Sequence, residues 1–142
     1  MKAPVIADIS LINQGVRLRA DVEGKPSLEI DSQPPYGAGD TLSPMELFLT
    51  SLCSCAGGTI LAILNKMRKT VVHFSIHAVG TRRQVPPSSF ETIRLTFKLT
   101  SPDTNEAEFL KTIRLTEENY CSVWAMIKGN VDVVTEVEVS KE

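Results

Sequence analysis

The residues of this chain able to do more than pack are three cysteines, two histidines and a set of arginines. Cys53 and Cys55 form a Cys-x-Cys pair inside an apolar run. On a helix, residues two apart stand about 200° around the axis from one another, so the two thiols cannot face one site. A Cys-x-Cys metal clip is therefore not expected, and neither Cys-x-x-Cys nor His-Glu-x-x-His occurs. His73 and His77 share one face of a strand pattern but lie roughly 13 Å apart along it, too far for one zinc ion. No metal and no bound cofactor are expected. Cys121 differs from the other two thiols. With Asn119 read as a helix cap, Cys121 falls in a first turn, where unpaired N–H groups and the helix dipole favour a thiolate. The bland alternative is a small buried hydrophobe. Three cysteines is an odd number that argues against a disulfide framework, so a disulfide here would be transient or catalytic.

The element that must position the first two thiols is Ser43 to Met67, SPMELFLTSLCSCAGGTILAILNKM. Ser43 suits an N-cap, Pro44 the first helical position, and Glu46 can reach back to complete a capping box. From Leu47 to Leu64 there is no charge, and apolar residues surround nearly the whole circumference. Thr50, Ser51, Ser54, Gly57, Gly58 and Thr59 within the run speak against a membrane span. The better reading is a central helix buried by its own domain and by a second subunit, with Gly57 and Gly58 allowing close helix–helix approach.

Before this helix, Val5–Leu11 and Val16–Val22 alternate apolar and polar residues, and Leu28–Asp31 reads as a short third strand. Ser32–Thr41 is a Pro- and Gly-rich loop. After it, Val72–Ala78 and Ile93–Leu99 alternate cleanly, separated by a loop at Gln84–Ser89. Ser101-Pro102-Asp103 offers a helix start, Thr116–Asn119 an interruption, and Tyr120–Lys128 a short helix ended by Gly129. Val131–Val139 is the last strand. Strands in runs separated by helices point to α+β, with helices on one face of an antiparallel sheet.

At 142 residues the chain is expected to form a single domain, 1–142. Its 42% hydrophobic and 23% charged content exclude disorder. A net charge of −2 gives no footprint for nucleic acid or an acidic membrane surface. No secretory pattern occupies Met1–Leu11, so a cytoplasmic location is the expectation.

The segment Ser43–Cys55, with Asn119-Tyr-Cys-Ser-Val123 downstream, resembles the OsmC/Ohr family of thiol peroxidases, and most closely its YhfA-like branch. The likeness extends over nearly the whole chain and includes Thr81, Arg82, Arg83, Pro86 and Phe90 and the valine-rich final strand. The family pattern places a peroxidatic cysteine eleven residues after the helix-opening proline, which here is Cys55. Its resolving cysteine, in a Cys-Ser/Pro-Val motif, is Cys121. The resemblance implies an OsmC-like fold, with antiparallel sheets and a long buried central helix, in an intertwined homodimer with active sites at the interface. It also implies reduction of organic hydroperoxides or H₂O₂ through a Cys55 sulfenic acid and a Cys55–Cys121 disulfide, recycled by an external dithiol of dihydrolipoyl or similar type. One position departs from the pattern. Members that reduce hydroperoxides carry a glutamate directly after the proline, paired with an arginine; here that position is Met45, and the acid follows as Glu46. One residue rotates a side chain by about 100°, so Glu46 fits a capping box better than a relay while staying a catalytic candidate. Arg17, Arg19 and Arg82, with Arg83, are the candidate activating or substrate-binding cations. Cys53 reads as packing. The alternative left open is a non-catalytic dimeric binding protein that holds a small apolar or thiol-bearing ligand at the subunit interface.

Overall fold

Alternation of apolar and polar residues at the start of the chain produces three short strands, β1 (Asp8–Leu11), β2 (Leu18–Asp21) and β3 (Leu28–Ile30). They pair in sequence order as an antiparallel sheet, with Leu11 opposite Leu18 and Leu18 opposite Ile30. The computed structural model describes residues 1–142, which fall into two units, 1–48 and 49–142, each taken by itself below.

In the first unit the organising group is Asp31, only 3% exposed. Its carboxylate accepts the N–H of Ser32 at 2.8 Å and of Ala38 at 3.0 Å, folding the Pro/Gly-rich loop back on itself. Gly37 is required there, because a Cβ at that position would lie 2.3 Å from the Asp31 Oδ1 and 2.1 Å from the Ser32 carbonyl. The loop ends in the start of α1 (Pro44–Lys66), the helix expected at Ser43–Met67. All four residues of β1 are exposed, Ile9 and Leu11 among them.

The second unit is built on β4 (His73–Arg82), β5 (Phe90–Thr100) and β6 (Asp132–Ser140), with β5 central. β4 and β5 are antiparallel, as their alternation implied, but β6 runs parallel to β5. The expectation of a purely antiparallel sheet is corrected at this strand. The reason is the return path: α2 (Glu106–Leu115), a π-helical turn (Thr116–Tyr120) and α3 (Ser122–Ile127) carry the chain back to the starting end, as a parallel pairing needs. Ile93, Leu95, Phe97 and Leu99 give β5 one buried face, while Arg94 and Lys98 stay exposed on the other.

Two helices lie on the buried face. From α1 comes one ridge at helical spacing: Leu52, Ala56, Ile60 and Leu64, all fully buried. Each large member stabilises the fold by roughly 1.5–3 kcal/mol. Gly57 belongs to the same ridge, but it admits a strand and not a helix. A Cβ there would meet Ile76 at 3.2 Å and Phe74 at 3.3 Å, so β4 comes close at this point. Gly58 faces open space. From α2 come Phe109, Thr112 and Ile113; the Phe109 ring meets Phe74 and Phe97 edge-on, with centroids 6.5 Å apart in both pairs. The helix begins one turn later than Ser101-Pro102-Asp103 indicated. Ser101 and Asp103 are spent on a local turn, and Asn105 with Glu108 forms the capping box. By length and composition α1 is the one helix able to cross a membrane. Burial on all sides is not met within one chain, since Ser51, Ser54, Gly58, Leu61 and Ala62 are exposed.

Candidate active site

α1 carries its two thiols to opposite flanks, as their spacing required. Cys53 lines a groove of about 440 Å³ against Phe74 and Ile76 of β4, where burial pushes its thiol pKa up. Cys55 lines a larger cleft, about 1150 Å³, between α1 and α2. The two helices run antiparallel along this cleft. Lys69, just past the end of α1, binds Glu108 in the first turn of α2 at 3.0 Å, while Cys55 meets Cys121 beyond the last turn of α2.

The π-helical turn explains how Cys121 gets there. The N–H of Cys121 donates to the carbonyl of Thr116 at 2.9 Å, an i→i−5 bond that makes the chain turn wider than α-helical phasing would. Thr116 is fully buried, and its hydroxyl donates to the Thr112 carbonyl at 2.9 Å, which anchors the turn to α2. Cys121 then adopts an extended conformation (φ −78°, ψ 105°) as the cap of α3. Its Sγ accepts the Trp124 N–H at 3.4 Å. The expected short helix thus starts two residues later, and Cys121 is its cap and not a member of its first turn.

That shift reverses the electrostatic assignment. Cys121 is 2% exposed, and burial is the main reason its pKa is pushed up to about 11, with the neighbouring Cys55 adding to the rise. The first-turn N–H groups of α3 serve Cys55 instead. Burial works against a charge on Cys55. The Val123 N–H, the Cys121 thiol and the Ser122 N–H together outweigh it and hold Cys55 below the ordinary thiol range. One thiol is therefore prepared as the anion and its partner as the proton-bearing donor. All three cysteines are free thiols.

The other candidates are engaged locally. Glu46 accepts the Ser43 N–H at 2.9 Å, and the Ser43 hydroxyl accepts the Glu46 N–H at 3.3 Å, a complete capping box; Gln33 reaches the same carboxylate at 3.4 Å. Hydrogen bonding to Ser43 holds its pKa below the usual carboxylate value. Met45 is half-buried. Arg17 bridges Glu29 at 2.9 Å and Asp40 at 2.8 Å, with Asp31 at 3.7 Å. Arg19 pairs with Asp21 at 3.0 Å. Arg82 donates to the Ser88 carbonyl at 2.7 Å, and Arg83 to the Asn130 carbonyl at 3.1 Å, so both brace loops of the second unit. His73 and His77 are exposed on the open sheet face, and no group of three or more His, Cys, Asp or Glu side chains is disposed to hold a metal ion. Sequence reasoning missed the Ser122 and Val123 N–H groups and the cleft residues Lys66, Lys111 and Tyr120. Ser122 directly after a cysteine was the available signal, since it opens α3.

Comparison with known proteins agrees with this geometry. The family model described as OsmC-like protein matches residues 37–136. Protein YhfA of Escherichia coli (strain K12) is 33% identical over 97 residues, 68% of this chain and 72% of that one. A hypothetical protein from Aquifex aeolicus VF5 has a crystal structure similar over 97% of both chains, with TM-score 0.84 and 26% identity. The fold also matches that of an organic hydroperoxide resistance protein OsmC from Legionella pneumophila, at TM-score 0.72, 20% identity, and 96% and 98% coverage of the two chains.

Proposed function

Because the chain belongs to the OsmC/Ohr family of OsmC-like proteins, we propose that it is a cysteine-based peroxidase that reduces organic hydroperoxides or H₂O₂. The observation that carries this reading is the asymmetric thiol pair: Cys55 with a lowered pKa, hydrogen-bonded to a buried, protonated Cys121. The Cys55 thiolate attacks the outer peroxide oxygen, the O–O bond breaks, and a proton goes to the departing alkoxide, leaving an alcohol and a Cys55 sulfenic acid. The Cys121 sulfur then displaces hydroxide from that sulfenic acid. Its own proton completes a water molecule, and a Cys55–Cys121 disulfide forms. An external dithiol reduces the disulfide by two exchanges and is itself oxidised. The name of the Legionella relative, a hydroperoxide resistance protein, supports the same chemistry here.

The chain works as a homodimer in the cytoplasm, a second copy covering the exposed face of α1 at Ser54, Gly58 and Leu61. Light scattering on the purified chain measures that state. Glu46 serves as the cap of α1, and Arg17, Arg19 and Arg82 stay candidates for substrate binding, each testable by alanine substitution.

The test is to mix pre-reduced protein with one equivalent of tert-butyl or cumene hydroperoxide and follow intact mass and peptide maps. Rapid loss of two hydrogens, mapped to a Cys55–Cys121 link, is the expected result. No change, or slow over-oxidation of single cysteines, overturns the reading and favours a protein that only binds a ligand in the cleft.

A further inference from the structure

The cleft is longer than the thiol pair needs, and its two ends differ. Cys55 and Tyr120 line one end, and Lys66 of α1 and Lys111 of α2 line the other. Cys55 and Lys66 are eleven residues apart on one helix, or about 16 Å along its axis. Between them the walls are formed by uncharged residues such as Gly58, Ala62, Ile63 and Leu115. Neither lysine forms an ion pair: the salt bridges of this unit are those of Lys69, Arg83, Arg94 and Lys98. The one acid lining the same end, Glu108, is already engaged. It accepts Lys69 at 3.0 Å and the Asn105 N–H at 3.0 Å. The order along the cleft is thus reactive sulfur, apolar wall, and two uncompensated ammonium groups.

We propose that Lys66 and Lys111 are specificity-determining residues that select hydroperoxides carrying a carboxylate at the far end of an extended apolar chain. The proposal rests on Cys55 being the peroxide-reducing group. An ammonium pair at a partly solvated rim attracts the head group without fixing it in one geometry, so the contribution is one of selection and capture and falls with added salt. The apolar wall supplies the remaining binding by burying the chain.

The test has a binding arm and a turnover arm. In the first, reduced protein is alkylated with iodoacetamide, and Cys55 labelling is read by peptide mass in the presence of dodecanoate or dodecanol. Protection by dodecanoate at several-fold lower concentration than dodecanol, weakened by salt, is expected, and it does not depend on any peroxidase activity. In the second arm, an unsaturated fatty-acid hydroperoxide and its methyl ester are compared by kcat/KM. The acid is expected to lead by about fivefold at low salt, the effect of a partly exposed charge pair. That ratio should fall to near one in the Lys66→Gln/Lys111→Gln variant, and Lys111→Glu alone should invert it. Equal protection by acid and alcohol, or an acid preference that survives in the double variant, overturns the proposal. If no hydroperoxide oxidises Cys55 while dodecanoate still protects selectively, the peroxidase reading fails and the charge selection stands.

Discussion

Two helix starts in this molecule use the same orphan N–H groups to opposite ends. At α1 the box of Ser43 and Glu46 closes the terminus on itself, and the carboxylate that could have served chemistry is consumed in the cap. At α3 the cap is Cys121, a poor acceptor whose sulfur takes only the Trp124 N–H. The Ser122 and Val123 N–H groups are left to serve the Cys55 sulfur. A sealed start contributes stability and no reactivity. An open start stores unsatisfied donors that stabilise an anion when one is presented. The weak cap is thus the condition for the reactive thiol.

The largest expected effect removes the anion that the open start serves. Cys55→Ser should bring hydroperoxide consumption down to the rate of a protein-free blank, while the melting temperature moves by no more than a few degrees, because Cys55 is only half-buried. Residual turnover in that variant would place the chemistry on Cys53 or Cys121. Next in size, Cys121→Ala removes both the partner thiol and the donor to Cys55. Oxidation should then stop at one equivalent with a trappable sulfenic acid. The first oxidation should slow by up to about tenfold at neutral pH, as a hydrogen bond to a charged group is lost. A variant that still turns over with a monothiol-free dithiol would show that Cys121 is dispensable.

A third outcome concerns pH and stability. Cys121 has its folded pKa raised from 9.0 to about 11, so the unfolded chain loses that proton first. Its contribution is complete below pH 9 and is lost as pH climbs to 11, roughly 2–3 kcal/mol for two units. Cys55 has the opposite sign, since its folded pKa is lowered. Its contribution is present above the unfolded value and is lost as pH falls through the folded one. Chemical denaturation from pH 7 to 11 should therefore show an alkaline decline that Cys121→Ala largely removes. A decline of equal size in that variant would assign it to other groups.

Much of this contrast was legible in the sequence, and the illegible part has a physical pattern. Ser43-Pro44-Met45-Glu46 announced the sealed start because caps use side chains, which a sequence displays. Cys55 and Cys121 emerged as a pair from the family motif. The pairing of Cys55 with the N–H groups of Ser122 and Val123 did not, because backbone donors have no signature of their own and their aim depends on the π turn at Thr116–Tyr120. That turn arises from one i→i−5 bond, which no residue type encodes. Likewise the alternation of Val131–Val139 predicted a strand but not its direction, since period-two patterning is the same read either way. The approach of β4 at Gly57, in place of a helix, depended on which face of α1 turned inward, and an all-round apolar helix leaves that undetermined.

The smallest expected effect tests whether the sealed start is only that. Glu46→Ala removes one of the two reciprocal bonds of the capping box and the contact with Gln33. Loss of a cap costs about 1 kcal/mol. The shortened carboxylate is fully exposed to solvent at its far side, so no buried charge is left behind. The pH profile of Cys55 alkylation should not move, because the groups that lower its pKa are all within Cys121–Val123. A shift of that profile upward by a full unit would instead make Glu46 part of the thiol's activation. The two helix starts would then act on one sulfur, and the contrast between them would collapse. Glu46→Gln separates the two cases further. Glutamine also completes a capping box and so retains most of the stability, but it carries no charge with which to hold an activating arginine.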